Sequence, residues 1–209
     1  MQATFPLETS LGLSGEAIAS FLVFALTSSA SAGPNDLLIM TIAGRSGLRS
    51  TLPSIAAITL AFGAMLVVGV IGGGIILLPM PILTRVLGTL GANWMLYLVW
   101  SIACQRPDAA SEAALLHWSR ALLLCWSNPK AWMLALTTDT AYLPQGPHWL
   151  RTLAFVISIK LVIGLASQLG WAVLGLSLYR LDAMSSHTAL INRFMGGLLT
   201  ISALTLLIG

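Results

Sequence analysis

The chain has 209 residues, is 57% hydrophobic and only 8% charged, and carries a formal charge of +3. Soluble domains carry about 25% charged residues, so this balance and a mean hydropathy of +0.90 exclude an ordinary soluble domain. The few bases are scattered, which excludes a nucleic-acid surface. Apolar runs of about 20 residues predict membrane-spanning helices, and no alternating segments of about 10 residues suggest an outer-membrane barrel.

The opening "MQATFPLETSLGLSGEAIAS" has no Lys or Arg, unlike the basic start of a cleaved signal, so the first apolar run is expected to be a retained span. That span is predicted from about Gly15 to Ile42 and the second from about Thr51 to Leu78. The third covers about Ile82 to Ala103, the fourth Ser119 to Ala141, the fifth Trp149 to Tyr179 and the sixth Leu190 to Ile208. The longest connection is "CQRPDAASEAALLHW", too short for a soluble domain.

Orientation follows from basic residues near span ends. With the N-terminus outside, the cytoplasmic connections hold Arg45, Arg49, Arg106, Arg120, Arg180 and Arg193, and the outer ones only Arg85 and Arg151. Both termini are therefore expected on the periplasmic side of a bacterial inner membrane. Trp118 and Trp149 fall where interfacial aromatics belong. Cys104 and Cys125 lie at or near the cytoplasmic side, without a CxxC pair, and are expected as free thiols.

A three-span unit that repeats must reappear upside down. The first span is interrupted at "AGPND" (Ala32 to Asp36) and the fourth at "WSNPKAW" (Trp126 to Trp132). Interrupted helices at corresponding places in two halves point to a transporter site. The predicted organisation is a single domain over residues 1–209, with one repeat at about 15–103 and an inverted one at about 119–208.

Pro34 and Pro129 lack the N–H that a continuing helix would donate to Ala30 and Cys125. In hydrocarbon, freed carbonyls must face protein or a wet cavity. They can take an ammonium or cation, and the half-helix beyond the break can take a carboxylate. Together the breaks suit a zwitterion, with a packing kink as the plainer alternative.

Asp36, Lys130 and Lys160 lie deeper than Glu16 and Asp139, which fall near the outer interface. A charge at depth is costly unless paired or hydrated. Asp36 with Lys130 or Lys160 can be a register-fixing ion pair, or Asp36 can meet a substrate amine or proton while Lys130 meets a carboxylate. Ser28 to Ala32, "SSASA", supplies small packing residues. Ser167 and Gln168 can line a path or bond a neighbouring helix. "GVIGGGII" (Gly69 to Ile76) reads as a packing face or hinge, because no Lys-Ser/Thr follows it. His117, His148 and His187 fall in connections and form no metal cluster, and no nucleophile–base pair marks an enzyme.

The order of "GPND", "GRSGLRS" (Gly44 to Ser50), "GANWMLYLVW" (Gly91 to Trp100), "LLCWSNPKAW" (Leu123 to Trp132) and "INRFMGGLLTISALTLL" is similar to that of the lysine-exporter (LysE/RhtB) family, over nearly the whole chain. The resemblance implies export of amino acids or related small metabolites. It places Gly33, Pro34, Asn35, Asn128, Pro129 and Lys130 at the family's motif positions. Asp36 stands where the family usually has an apolar or small residue, and Ala57 and Ala61 where it has glycines.

The expected fold is thus an all-α membrane protein of six transmembrane helices in two inverted three-helix repeats, with the first and fourth helices broken. The expected function is secondary export of amino acids or similar zwitterions across the inner membrane, coupled to a proton or ion gradient. The candidate substrate site is Gly33, Pro34, Asn35, Asp36, Asn128, Pro129 and Lys130, with Asp36, Lys130, Lys160 and Asp139 as coupling or ion-pair residues. No cofactor, catalytic residue or metal is expected. The partners are a small-molecule substrate and the lipid bilayer, and a homo-oligomer is compatible with this picture. The alternatives are a cation or metal-ion exporter on the same scaffold and a non-transporting membrane scaffold.

Overall fold

The computed structural model describes residues 10–73, 118–143 and 146–185. These residues are helical, with no strand among them. The predicted third and sixth spans, Ile82 to Ala103 and Leu190 to Ile208, lie outside the described residues, as does Cys104.

The first span is two helices, α1 (Gly15–Ala30) and α2 (Pro34–Ser46), bent by 51° at the break. Ser14 caps α1 by accepting from the Ala17 N–H at 3.2 Å. The next span, α3 (Leu48–Val68), runs into a π-helical turn at Gly69–Gly73. Its apolar stretch Leu48–Ile71 has 24 residues, roughly 36 Å of helix against a hydrocarbon core of about 30 Å. The segment predicted as the fourth span is also double: α4 (Trp118–Ser127) and α5 (Pro129–Tyr142), with Asn128 alone between them. Last among the described elements comes α6 (Trp149–Ser185), whose Trp149–Arg180 stretch is apolar enough to cross a membrane.

Pro34 and Pro129 correct the mechanism expected for the breaks. Each is the first residue of a new helix rather than a defect inside an old one. There the missing N–H costs nothing, because first-turn donors have no partner within the helix. The helix stops earlier, at Ala30, and Gly33 is extended (φ −150°, ψ 176°). At the second break the Asn128 side chain caps α5, accepting from the Lys130 N–H at 3.1 Å.

The centre of the molecule is a seam of small and medium apolar residues from α2, α3, α4, α5 and α6, including Ile39, Ala43, Ile55, Met65, Cys125, Ala135 and Ala172. α6 lies directly on α2. A Cβ on Gly175 would fall 2.1 Å from the Met40 carbonyl oxygen, so only glycine permits this approach. Close backbone contact through small residues is how membrane helices gain packing energy without a hydrophobic driving force. Val23, Leu60, Ile71, Leu123, Val162 and Val173 point outward and are largely exposed, as a lipid-facing surface requires. Trp118 and Trp149 are also exposed.

Candidate functional site

The two breaks meet. Lys130, in the first turn of α5, reaches across to the end of α1 and donates through Nζ to the carbonyls of Ser31 and, at 3.2 Å, Ala32. The break does free carbonyls that attract an ammonium, as the sequence suggested, but the ammonium in place is the protein's own. Two further carbonyls at this helix end are covered too. Ser31 Oγ donates to the Ser28 carbonyl at 2.9 Å, and Ser167 Oγ of α6 to the Ser29 carbonyl at 2.6 Å.

Lys160 also turns to this end of α1. It is 2% exposed, yet its ammonium donates to Ser28 Oγ at 2.9 Å and lies 4.2 Å from the centre of the Phe24 ring. A hydroxyl, a π face and the negative end of a helix together replace the water lost on burial. Ser28 therefore holds a lysine besides serving close packing.

Asp36 differs from the expected ion-pair partner. It is the third residue of α2, in the helix's first turn. That end of a helix favours negative charge. Lys130 and Asp36 flank Gly33: a Cβ built there would lie 3.2 Å from Lys130 Nζ and 3.4 Å from Asp36 Oδ2. The backbone at Gly33 thus lies between two opposite charges.

Asn35 donates to Cys125 Sγ at 3.5 Å and links α2 to α4, while its Oδ1 is buried without a partner. Cys125 is a free, buried thiol, as expected for the one cysteine described. The second break is stapled by tryptophans: Trp132 Nε1 donates to the Trp126 carbonyl at 2.8 Å, and the two rings meet edge to face at 5.4 Å.

A cavity of about 80 Å³ opens between the breaks, several times the ~10–15 Å³ that holds one water. Gly33, Asn35, Asp36, Asn128 and Lys130 line it, joined by Lys160, Ser28, Ser29, Ser167 and Gln168, with Ile58, Thr59, Phe62, Ala131, Leu134, Leu161 and Gly164 completing the wall. Pro34 and Pro129 shape the backbone without lining the space. Of the two residues expected to line a path or bond a neighbour, Ser167 and Gln168 do both. Thr59, Leu134 and Gly164 had no sequence signal, because each reads as ordinary span.

Asp139 is elsewhere, and it is not wet. Both its carboxylate oxygens are buried without a hydrogen-bond partner. They press on the π-helical turn: a Cβ on Gly69 would lie 2.1 Å from Asp139 Oδ2. The glycine-rich stretch is therefore a packing face for a carboxylate at its first residue. Among the described residues no group of three or more His, Cys, Asp or Glu is placed to hold a metal ion.

The chain is similar to an efflux protein. A cysteine/O-acetylserine efflux protein from Klebsiella pneumoniae is 29% identical over 164 residues, which covers 76% of this chain and 81% of that relative. No family model and no solved structure matches the chain.

Proposed function

We propose that this chain is an amino-acid exporter of the LysE/RhtB type, a secondary transporter of the bacterial inner membrane that moves cysteine, O-acetylserine or a similar small zwitterion outward. The observation that carries this is the cavity at the junction of two broken helices, lined by charges of both signs: Asp36, Lys130 and Lys160. A carboxylate and an ammonium carried on one small molecule fit that combination. The similarity to an efflux protein supports the same class of activity.

Gly33, Asn35, Asp36, Asn128 and Lys130 would surround the substrate, with Pro34 and Pro129 starting the two half-helices that hold them. Asp36 is the proposed meeting point for the substrate ammonium or a coupling proton, and Lys130 and Lys160 for the carboxylate. When substrate leaves, Lys130 returns to the Ser31 and Ala32 carbonyls, so neither charge is left bare in a dry site. The proposed architecture is two inverted three-helix repeats that rock about this site, with both termini periplasmic.

Cells making the chain, loaded with a cysteine- or serine-containing dipeptide, are expected to release more of the amino acid than cells without it. Unchanged extracellular and intracellular amino-acid pools would refute export. In everted vesicles, Asp36→Asn is expected to assemble normally and lose proton-driven uptake, while downhill exchange continues. Retained proton-driven uptake would leave Asp36 as a first-turn carboxylate of α2 and nothing more.

A further inference from the structure

The wall that α6 gives the cavity has its own pattern. Lys160, Gly164 and Gln168 are spaced by four residues and so share one helix face, and all three line the cavity. The stripe reads as ammonium, gap, amide.

Gln168 is 7% exposed. Its Nε2 donates to Thr59 Oγ1 at 3.3 Å, which fixes the amide, and its Oε1 is left buried without a partner. An orphaned buried acceptor is costly unless something donates to it. Asn35, also in the lining, repeats the arrangement, with its amide nitrogen on Cys125 and its Oδ1 unpartnered. Two fixed, unsatisfied amide oxygens among the lining residues ask for a ligand rich in N–H donors.

Gly164 supplies the space. A Cβ built on it would meet no described atom within 4 Å, although it belongs to the cavity wall. The apolar residues Phe62 and Leu161 line the same space. The charges among the lining residues are two lysines against one aspartate, which disfavours a second positive charge on the ligand.

Building on the exporter proposal, we propose that Gln168 and Gly164 determine which amino acid is accepted: Gln168 Oε1 accepts from the ammonium of an α-amino acid, and the gap at Gly164 takes its side chain, which must be small and uncharged. Neither residue carries a motif signal, and α6 thereby becomes the selective wall of a site whose charges come largely from the breaks.

The test uses the full purified chain in proteoliposomes, with counterflow of radiolabelled L-serine, L-leucine and L-lysine. The wild type is expected to exchange serine, leucine poorly and lysine not at all. Gly164→Val should depress leucine further than serine, by about 10-fold in their ratio, the usual effect of one or two methylenes in a tight pocket. Gly164→Ala should show a smaller shift in the same direction, in a helix that alanine favours. Gln168→Leu should raise the KM for serine about 10-fold, as loss of a buried hydrogen bond predicts, without moving the serine-to-leucine ratio. Gln168→Glu keeps an acceptor and should restore the KM. An active wild type with an unmoved ratio in both Gly164 variants, or an unmoved KM in Gln168→Leu, overturns the assignment, as does efficient lysine exchange. A wild type that exchanges none of the three amino acids removes the exporter proposal itself, and this assignment with it.

Discussion

Lys130 Nζ donates to the Ala32 carbonyl at 3.2 Å, and this bond joins the two interrupted spans although 98 residues separate the partners. The same ammonium covers the Ser31 carbonyl, so one side chain from the second break closes the open end of the first.

Removing that ammonium should cost stability as well as transport. Lys130→Met keeps the apolar stem of the side chain and removes the ammonium from both carbonyls. Because Lys130 is only partly buried, the loss should be about 1–2 kcal/mol, toward the low end for charged hydrogen bonds. Thermal unfolding of the purified protein in detergent measures it. Unfolding at the parental temperature would mean that water replaces the ammonium fully.

The prolines should matter less than their caps. Pro34→Ala and Pro129→Ala place a good helix former at a first-turn position, where no hydrogen bond is gained or lost, so stability should change by less than about 1 kcal/mol. Asn128→Ala removes the side chain that caps α5 and should cost about 1 kcal/mol. Unfolding temperatures of the three variants, compared with their export rates, rank the contributions. A larger loss in Pro129→Ala than in Asn128→Ala would contradict the geometry of the break.

Gly175 and Gly170 offer a matched pair on α6. Gly175→Ala drives a methyl into the Met40 backbone and must part α2 from α6, at about 1–3 kcal/mol, as for other overpacked sites. Gly170 is exposed and its Cβ would meet no described atom within 4 Å, so Gly170→Ala should be neutral or stabilise by up to about 1 kcal/mol. Parallel unfolding measurements decide it, and equal effects would deny the close contact.

Asp139 leaves two buried oxygens unpartnered, so its removal should stabilise. Asp139→Ala is expected to raise stability by about 1–3 kcal/mol, the cost of unsatisfied buried groups. If the carboxylate carries a coupling proton, the same variant loses gradient-driven export, a gain in stability set against function. Lower stability in Asp139→Ala would show that packing on Gly69 outweighs the buried oxygens.

The sequence by itself determined where the apolar helices of the described residues lie and where they stop at the breaks. Apolar length marked the spans, and Gly33-Pro34 and Asn128-Pro129 marked both interruptions, because proline's missing N–H and an extended or capping residue before it act within a few residues of backbone. It also marked Asp36, Lys130 and Lys160 as charges too deep to be incidental. Only the tertiary structure decided which partner each charge takes. Lys130 chose the Ser31 and Ala32 carbonyls over a direct pairing with Asp36, and Lys160 chose Ser28 and the Phe24 ring. It also set Asp139 against Gly69 with both carboxylate oxygens buried, and opened a cavity at Gly164 and Gln168. These outcomes depend on helices distant in the chain approaching within a few ångströms. Hydropathy and local backbone chemistry carry no record of that approach, whereas the smallness of Gly175 against the Met40 carbonyl enforces it.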